Sequence, residues 1–236
     1  PWLNFLPREF TPLYGLYQLE RLGCTVIVLS ATLTEYARCS LLSLPAKEER
    51  RNAPYPRISG RSGDSVLPEY CSPPLPEKRV FLEHPLRDHA LIQAMELARQ
   101  GAQILWVCNT VARAQEDFSA LRQMASVLKD RPDIGLLHSR FPFYRRESLE
   151  EEWMERLGPK GNREKGVILV STQIVEQSVD LDADVLFSEL APTDMLLQRL
   201  GRLWRHPRNG RPVKKPLFSK ASSNRGAIHL TKIIAG

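Results

Sequence analysis

Residues 104–128, ILWVCNTVARAQEDFSALRQMASVL, carry the reading that decides the fold. The apolar run from Ile104 to Cys108 is too short for a helix and reads as a strand of a parallel sheet, buried on both faces. Asn109-Thr110 breaks the run and offers a helix cap. Beyond it Val111, Ala114, Phe118, Leu121, Ala125 and Leu128 recur close to every 3.6 residues, which predicts an amphipathic helix over 111–128.

The alternation continues on either side. Downstream, strands are expected over 134–137, 167–170 and 184–188, with an amphipathic helix over 147–157 ended by Gly158-Pro159. Upstream, a strand is expected over 79–82 and a helix over 88–100, stopped by Gly101. Strands alternating with helices predict an α/β protein with an open, mostly parallel sheet and helices on both faces. Nearer the start, Val26-Ile-Val-Leu29 reads as one more buried strand, and a helical pattern over 35–44 stops at Pro45. From 45 to 76 the chain turns to Pro, Ser, Gly and Arg without a period, as a linker or irregular connection does.

A chain of 236 residues holds one ample domain, or one domain and part of another. A hydrophobic content of 42% and a charged content of 25% are ordinary for a globular protein. No apolar run approaches the roughly 20 residues of a membrane span. The opening Pro1-Trp-Leu-Asn is neither a signal peptide nor a translation start, and suggests a cut-out piece. Cys24, Cys39, Cys71 and Cys108 have no paired or metal-like spacing, so reduced thiols in the cytoplasm are expected. The five histidines form no ligand pattern either, and no metal site is expected.

The net charge of +6 is unevenly spread. From Met195 to the end there are ten Lys/Arg and no acid, while the remaining 23 Lys/Arg stand against 27 Asp/Glu, a net of −4. The basic stretch is either a nucleic-acid footprint or a solvated cationic tail.

Ligands of open α/β sheets bind beyond the carboxyl ends of the strands. Four polar clusters stand there: Ser30-Ala31-Thr32, Asn109-Thr110, His138-Ser139-Arg140 and Ser171-Thr172-Gln173. One such cluster is a helix cap; four would line a rim with donors for phosphates and sugars. Behind the last, Glu176, Gln177 and Asp180 suit ribose hydroxyls or a partner arginine. The run QRLGRLWR over 198–205, read as a helix, puts Gln198, Arg202 and Arg205 on one face and Leu196, Leu200 and Leu203 on an apolar stripe. Gly201 sits between them, although Gly costs roughly 1 kcal/mol against Ala in a helix. Two guanidiniums and an amide aimed at a point kept clear of side chain describe a polyanion site; the alternative is a solvated arginine face.

Ser30-Ala31-Thr32 resembles the motif that couples ATP hydrolysis to strand movement in superfamily 2 helicases. STQIVEQSVDLDADVL resembles their fifth motif and QRLGRLWR their sixth. With VCNTVARAQ, LLHSRF and LAPTDMLLQRLGRLWRH, the set is similar to the helicase portion of the CRISPR-associated helicase-nuclease of type I systems, over most of 25–212. That resemblance implies the tail of a first RecA-like lobe over 1–44, a connection over 45–76, a second RecA-like lobe over 77–212 and a basic, divergent tail over 213–236. It implies that Arg202, Arg205 and Gln198 meet ATP, with Asp180 near the ribose and Gly201 and Glu176 beside it. Asn109, Thr110, His138, Ser139, Arg140, Thr172 and Gln173 would lie along single-stranded DNA, and Ser30, Ala31 and Thr32 would link the lobes.

The P-loop and the Asp-Glu box of the family are missing from this sequence, as is its nuclease domain. ATP and Mg²⁺ would then be held mainly by the first lobe, with none bound by this chain alone, which would not hydrolyse ATP. The partners implied are single-stranded DNA, the first lobe and the type I surveillance complex, with no membrane. A non-catalytic nucleic-acid-binding remnant and a lobe of another superfamily 2 branch acting on RNA are the alternatives. Arg199 lies off the Gln198–Arg202–Arg205 face and is expected in a salt bridge, to Glu189 or Asp194.

Overall fold

Gln103 to Val107 are buried without exception, so this strand has protein on both faces. The computed structural model that places it describes residues 12–29, 33–45, 56–71, 73, 78–177, 180–220 and 234–235. They fall into two compact units, one within 1–76 and the other over 77–235.

The first unit has helices α1 (Pro12–Arg21) and α2 (Glu35–Leu41), and four two-residue strands: β1 (Arg57–Ile58), β2 (Arg61–Ser62), β3 (Ser65–Val66) and β4 (Tyr70–Cys71). β1 pairs antiparallel with β4, and β2 with β3. Thr34 caps α2 by accepting the Ala37 N–H at 3.2 Å. The segment over 45–76 is therefore not a bare connection. Its residues fold with those before it because charges pair across: Glu35 receives Arg38 at 2.5 Å and also Arg57, and Arg38 reaches Glu69 at 2.6 Å. Hydrogen bonds from Arg38 and then Arg57 hold the Glu35 carboxyl well below its usual range, at about 2.

Val26 to Leu29 do not form the expected strand. Ile27 and Leu29 are 79% and 91% exposed. A strand in a parallel sheet needs a hydrogen-bonding neighbour and a covered face, and the described residues supply neither here. Ser30, Ala31 and Thr32 lie outside the described residues.

The second unit runs β5 (Lys78–Arg79), β6 (Phe81–Glu83), α3 (Arg87–Arg99), β7 (Gln103–Val107), α4 (Val111–Ser126), β8 (Asp133–Leu137), α5 (Phe143–Leu157), β9 (Val167–Ser171), α6 (Ile174–Gln177), β10 (Val185–Ser188), α7 (Thr193–Leu200), β11 (Leu217–Lys220) and β12 (Ile234–Ala235). Six strands make one sheet in the order β6-β11-β10-β7-β9-β8, every pairing parallel. Successive residues point to opposite faces. Ile104 and Trp106 pack with Ile168 and Val170 under α3 and α4. Leu105 and Val107 pack with Leu169 and Leu186 under α5, α6 and α7. Gly135 in β8 leaves room for Trp153 of α5, since a Cβ there would stand 1.8 Å from the indole.

Two boundaries differ from expectation. β11 lies inside the sheet between β10 and β6, so the sheet continues past 212. Phe218 is buried there, and β12 pairs antiparallel with β5. α7 ends at Leu200 rather than running to 205. Leu203 bridges to Ala183, and Trp204 turns the chain with φ at +48°. Gln198, Arg202 and Arg205 consequently do not share a helix face.

Candidate functional site

Because the sheet is parallel, β7, β8, β9 and β10 all end at one edge. Asn109-Thr110, His138-Ser139-Arg140 and Thr172-Gln173 follow three of them there, as the sequence places them. The loops carrying these residues are laced to one another. Asn109 donates its backbone N–H to Glu189 Oε2 at 2.6 Å and its Nδ2 to the Leu190 carbonyl at 2.6 Å. Gln173 Nε2 donates to the Asn109 carbonyl at 2.8 Å. Ser171 Oγ donates to the Leu137 carbonyl at 2.7 Å.

This lacing bears on the residues proposed for nucleic-acid contact. Both ends of the Asn109 side chain are engaged inside the rim, and Thr172 is buried. Thr110 caps α4, its Oγ1 accepting the Arg113 N–H at 3.2 Å. His138 is 4% exposed, and its ring stacks on Phe141 with centroids 4.3 Å apart. Neither ring nitrogen finds a hydrogen-bond partner among the described residues. Burial, and secondarily Arg140, lowers the pKa of His138, which favours the neutral ring. Thr110, Ser139 and Arg140 are the candidates that remain exposed.

The arginines after β10 divide into three kinds. Arg199 is fully buried. Its Nε donates to Glu176 Oε1 at 2.8 Å, Nη1 to Ser188 Oγ at 2.8 Å and to the Glu189 carbonyl at 3.1 Å, and Nη2 to Asn109 Oδ1 at 3.0 Å. It forms the expected salt bridge, but with Glu176. Glu189 contributes its carbonyl, and Asp194 is exposed. Of the two roles open to Glu176, partner arginine or ribose, the structure gives the arginine. The Glu176 side chain is buried.

Arg202 is largely buried and, among the described residues, has no carboxylate partner. Nε donates to the Val175 carbonyl at 2.9 Å and Nη2 to that of Glu176 at 2.7 Å. Burial, then the charge of Arg205, lowers its pKa. Arg205 is half-exposed, and its Nε stands 2.5 Å from Asp180 Oδ1. His206 Nε2 shares that oxygen at 3.0 Å. Gln198 is half-buried. At Gly201 an added Cβ would meet only the Gln198 and Leu197 carbonyls, at 3.2 and 3.5 Å, so packing inside the unit barely requires a glycine.

A second charge network lay unread in the sequence. Asp182 and Asp184 are buried and bind Arg211 and Arg208. The signal was there in two spacings: acids at every second residue (180, 182, 184), and arginines at every third (205, 208, 211).

Among the described residues no group of three or more His, Cys, Asp or Glu could hold a metal ion. Arg202, Arg205 and Asp180 fit a nucleotide in part: two guanidiniums offer charge for phosphate and a carboxylate suits hydroxyls, while the described residues supply no Mg²⁺ ligand set. Two cavities, of about 470 and 540 Å³, lie elsewhere, one along β8 between α4 and α5 and one at the opposite end of the sheet. Neither cavity is lined by Arg202, Arg205 or Asp180. No helix among the described residues is long and apolar enough to cross a membrane.

Residues 100–208 match the family model described as CRISPR-associated nuclease/helicase Cas3, C-terminal. The chain is 35% identical over 204 residues to the CRISPR-associated endonuclease/helicase Cas3 of Escherichia coli (strain K12), covering 81% of the chain and 23% of that protein. It is 34% identical over 232 residues to the Cas3 protein of Thermus thermophilus, covering 80% and 25%. It superposes on the crystal structure of T. fusca Cas3-ATP with a TM-score of 0.73 at 30% identity, over 90% of the chain and 28% of that one. A similar chain, in a CRISPR RNA-guided surveillance complex, pre-nicking, gives a TM-score of 0.66 at 31% identity, over 89% and 29%. The chain thus spans about a quarter of the length of the curated relatives it matches.

Proposed function

We infer that this chain, which belongs to the Cas3 nuclease/helicase family as its C-terminal helicase region, serves as the second RecA-like lobe of an ATP-dependent DNA translocase in type I CRISPR interference. The observation that carries the reading is the pair Arg202 and Arg205, which follow α7, with Arg202 fixed on two carbonyls and Asp180 on Arg205 Nε. Arg202 is anchored through two carbonyls; Arg205 is free to exchange one anion for another. In this reading both guanidiniums face ATP held by a first lobe, which supplies the P-loop and Mg²⁺ as well.

ATP, when bound between the lobes, supplies a triphosphate whose terminal group gains charge separation as it is transferred. Arg202 is preset for that charge, because its head cannot rotate without leaving the Val175 and Glu176 carbonyls. Arg205 reaches it by leaving Asp180, whose carboxylate keeps His206 and becomes available to ribose hydroxyls. Thr110, Ser139 and Arg140 line the exposed rim and would follow the backbone of single-stranded DNA. The likeness to a chain in a CRISPR RNA-guided surveillance complex supports the same partner for this chain, and a cytoplasmic location belongs to the same reading.

The reading in which the basic C-terminal stretch is a nucleic-acid footprint has less support. Arg199, Arg205, Arg208 and Arg211 pair with carboxylates of the same unit, and Arg202 with carbonyls, which spends half of that stretch's cations internally.

The 236-residue chain on its own is predicted not to hydrolyse ATP. A phosphate-release assay with single-stranded DNA present checks this, and turnover above background that disappears in Arg205→Ala would contradict it.

A further inference from the structure

Taking Arg205 as the guanidinium that meets ATP, we propose that Asp182 and Arg211 are its positioning residues, clamping the turn that presents it. The turn needs holding. Trp204 sits in the left-handed region at φ +48°, which a residue with a Cβ adopts only at a cost. Its backbone N–H donates to the Ala183 carbonyl at 2.9 Å, and its indole Nε1 to the Asp184 carbonyl at 3.0 Å. One residue on, the Arg205 backbone N–H donates to Asp182 Oδ1 at 2.9 Å.

Arg211 closes this arrangement with one planar head. Nη2 donates to Asp182 Oδ1 and Oδ2, both at 2.9 Å, and to the His206 carbonyl at 2.7 Å. Nη1 donates to Asp184 Oδ1 at 2.6 Å, and the guanidinium lies 4.9 Å from the centre of the Trp204 ring. It therefore touches the residue before Arg205, the residue after it, and the carboxylate that holds its amide. Arg208 also binds Asp184, and Arg163 Nη1 donates to the Asp182 carbonyl at 2.9 Å.

The burial argues for geometry over stability. Asp182 is 1% exposed and Asp184 not at all. Buried ion pairs cost several kcal/mol in lost hydration, and well-packed apolar residues often stabilise a fold as much or more. What this network adds is a single backbone path for 204–206. The Arg205 head alone remains outside, 39% exposed and held by Asp180. A fixed backbone with one swinging head gives a donor that needs little reorganisation when charge develops. Lysine at 211 would keep the charge but not the fork, which serves four acceptor atoms at once.

The test uses the full 236-residue chain, isotope-labelled, with Arg211→Lys and Asp182→Asn as variants. NMR spectra follow the Arg205 amide and the Trp204 indole N–H, with the Leu105 and Val170 amides as controls for the sheet. Expected are shifted, broadened Arg205 and Trp204 signals and faster Arg205 amide exchange in both variants, with the controls unmoved. If Arg211→Lys also loses the controls, Asp182→Asn, which keeps size and one acceptor oxygen, carries the test. Unchanged Arg205 and Trp204 signals overturn the clamp.

A second readout comes from a two-lobe polypeptide in which Arg205→Ala abolishes ATP hydrolysis. There Arg211→Lys should lower kcat about tenfold with KM for ATP within about twofold, because the lost contact belongs to the transition state. An unchanged kcat also overturns the clamp. Hydrolysis that survives Arg205→Ala would instead defeat the role given to Arg205 itself, leaving the NMR result to stand or fall separately.

Discussion

Arg199 engages all of its fork inside the fold, on Glu176, Ser188, the Glu189 carbonyl and Asn109, and so ties β7, α6 and β10 to α7. Removing one member of a fully buried ion pair strands the other charge. Arg199→Met should therefore cost about 3–5 kcal/mol, read from urea unfolding; a loss under about 1 kcal/mol would contradict the internal role. The sequence indicated that Arg199 makes a salt bridge but could not name the partner. Glu189 and Asp194 are nearer along the chain, whereas Glu176 is brought in by the fold. The same limit applies to Asn109, Thr172 and His138. Their position after a strand was readable, but whether a side chain turns outward or into the rim depends on neighbours from other loops. Thr110, Ser139 and Arg140 are the ones left facing solvent.

At the scale of elements, patterns that balance locally and globally were legible. The strand expected over 104–108 and the helix over 111–128 appear as β7 and α4, shifted by a residue or two at their ends. Three patterns misled, each for a physical reason. Val26 to Leu29 carry strand composition without a partner strand among the described residues. The run 198–205 satisfies helical spacing, yet its last turn is unwound because Leu203 pairs beside Ala183. β11 is only four residues long, with Lys214-Lys215-Pro216 before it and Lys220 at its end, so its charge hides a central strand.

The segment over 45–76 had the composition of a linker, but its arginines are the partners of Glu35 and Glu20. Its stability is thereby tied to acid. The folded pKa of Glu35 lies at about 2, below the ordinary 4.5, so its contribution is complete above pH 4.5 and is lost as pH falls from there toward 2. An acid titration of α2 helicity should show a transition in that window that Glu35→Gln removes. Persistence of the transition in Glu35→Gln would assign it to other carboxylates.

For the whole molecule, the charge balance takes on a different meaning once the fold is seen. The ten cations after Met195 read as either a nucleic-acid footprint or a solvated tail, and half of those groups instead pair inside the unit. The chain has the fold of the Cas3 C-terminal helicase region: a parallel sheet flanked by helices, with a cluster of guanidiniums from Arg199 to Arg211. The fold was readable because strand and helix periods alternate over more than a hundred residues. The site was readable as a place, the edge after the strands, but only partly as a set of contacts.

The most direct measurement is steady-state ATP hydrolysis by a polypeptide that joins this chain to a first lobe, compared with Arg202→Ala and Arg205→Ala. Loss of about 10³-fold or more in kcat for each, with native circular dichroism, is the result expected of guanidiniums that meet the transferring phosphate. Hydrolysis at the parent rate in both variants would contradict it.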